Sequence, residues 1–130
     1  MNECQRKINM IIDVVMSACD TSLVLGGKKE VLKKNVFSKS KTEDAVRART
    51  LLVVALKNYG YTNETICALL DITESAVRKM LSTHDFLKNT NRIYELTCLS
   101  VKCQIESYRG EDEAEIQKHV LEAAKIQTNG

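Results

Sequence analysis

No proline occurs anywhere in these 130 residues, and glycine occurs only five times. Proline costs about 3 kcal/mol inside a helix and glycine about 1 kcal/mol. A chain so poor in breakers lets each apolar periodicity run on, so helix is the expected state of every periodic segment. Hydrophobic residues make up 44% and charged residues 28%, enough to build and solvate one core. The expected fold class is therefore all-α, a helical bundle. No apolar run approaches the roughly 18 residues that span a bilayer, and the N-terminal segment lacks a signal-peptide pattern. A cytoplasmic location without membrane contact is expected.

Cys4, Ile8, Ile11, Ile12, Val15 and Cys19 recur at helical spacing and predict a first helix over 4–19. Asp20-Thr21-Ser22 and Gly26-Gly27 break it. Residues 28–41 predict a short basic helix and a loop. Thr42 is placed to cap the next helix, with Glu43 and Asp44 complementing its dipole. That helix runs to about Asn58 through Leu51-Leu52-Val53-Val54-Ala55-Leu56, apolar all round and hence central. Gly60 closes it. Beyond Ser82 the pattern predicts two more helices, over 90–108 and 112–126, separated by Gly110.

The segment 66–81 reads Ile-Cys-Ala-Leu-Leu-Asp-Ile-Thr-Glu-Ser-Ala-Val-Arg-Lys-Met-Leu. A helix-turn-helix needs apolar residues converging from two short helices, a small residue where they approach and a turn residue tolerant of positive φ. Ile66, Leu70, Ile72, Val77 and Leu81 fill the first role, Cys67 the second and Asp71 the third. Thr62 or Asn63 caps the first helix and Thr73 the second. If such a unit binds duplex DNA, its second helix lies in the major groove. Thr73, Glu74, Ser75, Arg78 and Lys79 then face outward. Arg78 suits guanine or phosphate and Lys79 a phosphate, whereas Glu74 is useful only opposite a cytosine amino group.

Formal charge is only +2, yet it is unevenly spread. Between Gly26 and Thr50 lie Lys28, Lys29, Lys33, Lys34, Lys39, Lys41, Arg47 and Arg49, against Glu30, Glu43 and Asp44. The tail carries Glu111, Asp112, Glu113 and Glu115. One basic neighbourhood gives a polyanion a preferred face.

The run Ser38-Lys39-Ser40-Lys41-Thr42-Glu43-Asp44-Ala45-Val46-Arg47-Ala48-Arg49 resembles the basic loop and helix start of the C-terminal DNA-binding domain of the replication initiator DnaA. In order of elements the resemblance covers about 8–82, and it is specific around 38–56 and 66–81. It implies an extra helix before the reading unit and a basic loop entering the minor groove. Lys39 and Lys41 match the loop's basic positions, and Arg47 and Arg49 match the family's Arg-x-Arg pair. The family's Gly-Gly-Arg-Asp-His-Thr-Thr-Val signature is replaced by Asp71-Ile72-Thr73-Glu74-Ser75-Ala76-Val77, so binding to that family's origin boxes is not implied.

Residues 1–85 are thus expected to form the DNA-binding domain and 86–130 a helical extension for packing or dimerisation. The expected partner is double-stranded DNA, bound in transcription or replication control, with a homodimer as an option. The alternative is a protein-interaction module on a helix-turn-helix scaffold, favoured by Asp71, Glu74 and the acidic 111–115 stretch. No cofactor, metal or enzymatic activity is expected. The cysteines (Cys4, Cys19, Cys67, Cys98, Cys103) lack zinc-site spacing, and no nucleophile is paired with a base or with a phosphate-binding loop.

Overall fold

The computed structural model describes residues 3–22 and 29–128, with the backbone alone for 20–22, 29–30 and 110–128 apart from Leu121. The Gly26-Gly27 break and Lys28 lie outside the described residues. Six helices follow in order: α1 (Glu3–Ser22), α2 (Lys29–Phe37), α3 (Glu43–Tyr59), α4 (Asn63–Leu70), α5 (Glu74–Thr90) and α6 (Arg92–Thr128). No strand is present among the described residues.

Helix boundaries follow from local chemistry. The hydroxyls of Thr42, Thr62 and Thr73 accept the amides of Ala45, Thr65 and Ala76, each satisfying an otherwise orphan first-turn donor. Gly60 ends α3 at φ 117°, a conformation that costs glycine little. The Tyr61 amide then reaches the Leu56 carbonyl at 3.1 Å, closing the turn as a left-handed C-cap should.

Helix α3 is the axis of the fold and packs against all five of the others. Ala48, Leu51, Leu52, Val53, Ala55 and Leu56 are buried along it. They meet Ile11, Val15, Met16 and Cys19 of α1, Ile66 and Leu70 of α4, and Val77 of α5. Tyr94, Val101 and Ile105 of α6 join the same cluster. A single core therefore runs through both sides of residue 86, and the first half of α6 is part of it.

Three boundaries differ from the sequence expectation. Helix α1 runs through Asp20-Thr21-Ser22 instead of breaking there. Helix α5 does not stop near Ser82 but continues to Thr90. Its polar stretch stays helical because Leu81, His84 and Leu87 keep a half-buried stripe facing the body, while the Thr83 and Thr90 hydroxyls bond back to the Lys79 and Phe86 carbonyls. The two expected C-terminal helices are one helix of 37 residues, about 55 Å long at 1.5 Å per residue. Gly110 falls inside it. One glycine penalty is too small to end a helix that lacks a capping turn.

The corner between α5 and α6 is a single residue. Asn91 donates its amide to the Leu87 carbonyl at 2.8 Å, and its side-chain oxygen accepts the Tyr94 amide at 3.1 Å. It thus closes one helix and caps the next. Among the described residues, no helix is long and apolar enough to cross a membrane.

Candidate nucleic-acid interface

Helices α4 and α5 stand where the helix-turn-helix is expected, joined through Asp71, Ile72 and the capping Thr73. Ile66, Leu70 and Val77 are fully buried beneath it, with Cys67, Ile72 and Leu81 half-buried around them. Asp71 takes the left-handed conformation at φ 54°, which an Asx side chain tolerates better than most. Its amide and that of Ile72 both bond to the Cys67 carbonyl, closing the turn.

Thr73, Glu74, Ser75, Arg78 and Lys79 are all exposed. Periodicity accounts for this, since Val77 and its half-buried neighbours Met80 and Leu81 take the inner face of the same turns. The N-terminal half of α5 is therefore an open ridge of two cations, two hydroxyls and one acid.

The 38–42 loop that precedes α3 reaches the turn before this ridge. Lys39 Nζ donates to Asp71 Oδ2 at 3.1 Å across 32 positions of sequence. Lys39 itself sits at φ 65° and, with Asp71, is one of two non-glycine residues at positive φ among the described residues. The loop is closed locally by the Ser38 and Ser40 amides, which bond to the Lys34 and Asn35 carbonyls at 2.9 and 3.0 Å. Lys41, two residues on, is exposed.

Arg49 departs from its expected DNA-contacting role. It is only 7% exposed, and its guanidinium donates to the carbonyls of Val36, Asn35 and Ser40 at 3.1, 3.2 and 3.0 Å. Burial lowers its pKa from the ordinary arginine value. It faces inward because α3 is enclosed over this stretch, and no second fork remains for a phosphate. Its role is to clamp the end of α2 and the lysine loop. Arg47 is partly exposed and pairs with Glu43 one turn earlier.

Lys39 thus stands beside the turn that opens α5, and Thr73, Glu74, Ser75, Arg78 and Lys79 are exposed on that helix. Lys41 is exposed on the same loop as Lys39, Arg47 is paired with Glu43 and Arg49 is buried. The sequence marks Asp71 only as a turn residue. Its bond to Lys39 joins distant segments, and no local pattern signals it. No protein-family model, curated protein or solved structure matches the chain.

Proposed function

We propose that the chain binds duplex DNA, with the N-terminal half of α5 in the major groove and the lysine loop on the adjoining backbone or minor groove. The observation that carries this reading is the Lys39–Asp71 contact, which sets the basic loop beside the turn that opens α5. One duplex can meet both elements together. Arg78 reads guanine or holds a phosphate, Lys79 and Lys41 hold phosphates, and Ser75 bonds either kind of acceptor. Lys39 is released to the backbone at little cost, since an exposed ion pair is worth about 0–1 kcal/mol. Glu74 penalises phosphate and favours a cytosine amino group at its position. Arg49 acts indirectly by holding the loop in place. A role in transcription or replication control follows as the use of such a domain, and the DnaA resemblance of residues 38–56 and 66–81 points the same way.

Fluorescence anisotropy with duplexes across a salt series tests this. Several Lys and Arg contacts to phosphate require affinity to fall steeply with salt. Arg78→Ala should lose sequence preference, and Lys39→Ala/Lys41→Ala should weaken all duplexes alike. Negligible binding by the unaltered protein at low salt would overturn the proposal.

A second reading has its own observation. Phe86, Ile93 and Leu96 are 65%, 56% and 49% exposed around the α5–α6 corner, more apolar surface than a solvated helix pair requires. A partner protein or a second copy of the chain would cover it. The same anisotropy series separates the readings, because a scaffold for protein contacts alone shows no salt-dependent duplex binding.

A further inference from the structure

A cleft of about 410 Å³ lies between the C-terminal halves of α3 and α5 and the first half of α6. Its floor is apolar, formed by Leu51, Val54 and Ala55 of α3 with Val101 and Ile105 of α6. Its charged lining is Lys88, Lys102 and Arg109 against Glu95 and Glu106. Glu95 is already paired with Arg92, 3.4 Å away. Arg109 is also engaged: it stacks 4.3 Å over the Tyr59 ring and donates to the Tyr59 carbonyl. The balance is an excess of positive charge, centred on two exposed lysines with no ion-pair partner of their own within 4 Å among the described residues.

A further donor comes from His84 on the cleft wall. Tyr94 is fully buried, so its hydroxyl proton needs an acceptor, and His84 Nδ1 lies 2.8 Å away. Imidazole nitrogen accepts far better than the neighbouring Cys98 sulfur. Tyr94 therefore donates to Nδ1 and fixes the proton of the neutral ring on Nε2. Nε2–H is then the ring's one remaining polar group, and it is a donor.

We propose that this cleft is a binding site for a small monocarboxylate carried on an apolar body. The volume lies within the range of small-molecule sites. Two turns of an α-helix about 10 Å across would need more room. An apolar floor offers water few hydrogen bonds, so an apolar body is preferred there. Lys88, Lys102 and His84 Nε2–H supply donors suited to a carboxylate. The site stands whether or not α5 reads DNA.

The test is an NMR titration of the uniformly ¹⁵N-labelled full chain with 4-phenylbutyrate, alongside its neutral counterpart 4-phenyl-1-butanol. We expect saturable one-site binding of the acid, with shifts confined to the 51–59, 84–88 and 95–109 segments. The alcohol should bind about tenfold more weakly, one ion-mediated contact's worth. Lys88→Gln/Lys102→Gln should weaken the acid about tenfold and leave the alcohol unchanged. Both lysines are exposed, so the fold tolerates the change, which the variant's own spectrum verifies. The site is refuted if the acid fails to saturate by about 10 mM, if acid and alcohol bind equally, or if the shifts map to the Phe86–Ile93–Leu96 face.

Discussion

Lys39 and Asp71, the two residues that hold left-handed backbone without being glycine among the described residues, are ion-paired to each other at 3.1 Å. Each sits at the apex of its own turn, one before α3 and one before α5. The contact therefore joins two turn tips 32 positions apart in sequence. Both side chains are largely exposed, 55% and 93%, so the pair contributes little to stability. Its consequence is positional, because it shows where Lys39 stands relative to the turn that opens α5, a placement that Arg49 holds from beneath the loop.

Asp71→Asn separates these roles. Asparagine keeps the left-handed turn but removes the negative charge beside the proposed DNA face. Urea unfolding should change by less than about 0.5 kcal/mol, while duplex affinity at low salt should rise. An affinity that fell, or a protein that lost more than that stability, would show that the charge itself organises the site.

Arg49 carries the opposite expectation. Its charged hydrogen bonds hold three carbonyls that close α2 and shape the lysine loop. Arg49→Met leaves those acceptors short of donors at a buried position. With hydrogen bonds to charged groups worth about 1.5–3 kcal/mol, the unfolding free energy should drop by about 2–4 kcal/mol. Arg49→Lys should recover only part, since an ammonium cannot present the same planar fork. A loss in duplex affinity with unchanged stability would instead return Arg49 to the contact face.

The helical class and the capping residues were legible because they depend on near neighbours. Thr42, Thr62 and Thr73 each meet an amide three positions on, and Gly60 closes the helix just before it. The exposed face of α5 was legible for the same reason, since Val77 fixes which side is inward. The fate of Arg49 was not. Its spacing from Arg47 looks like a basic pair, and only the approach of α2 shows that one of the two is enclosed. The continuity of α6 through Gly110 was hidden differently: a glycine signals a stop only when a capping turn follows, and sequence shows the glycine without the turn.

His84 makes acid stability a measurable property of the α5–α6 corner. Burial lowers its pKa below 6.5, Lys88 adds to the effect and Asp85 opposes it. The unfolded chain therefore binds a proton more readily than the folded one in the window between His84's lowered value and 6.5. Stability is full above pH 6.5 and falls as the pH drops through that window. Urea midpoints at pH 7.5 and 5.5 should differ in that direction, and His84→Gln should flatten the difference. A midpoint that rose on acidification would mean that the ring gains a proton on folding and that the Tyr94 hydroxyl is not its donor.

Thiol reactivity should sort the five cysteines by depth. Cys4 and Cys103 are exposed, Cys67 and Cys98 half-buried and Cys19 buried, all as free thiols. Attack requires thiolate. Burial first, and then the nearby Cys98 and Asp44, push the Cys19 thiol up to about 12. Cys98 is raised to about 11, mainly by burial. With Ellman's reagent at pH 8, Cys4 and Cys103 should react in the first phase and Cys67 more slowly. Cys19 and Cys98 should remain silent until denaturant is added, and they should appear together, because both belong to the core that α1 and α6 share. Release of Cys98 before Cys19 under mild urea would mean that α6 detaches while α1 stays on α3, and that the core is two cooperative units instead of one.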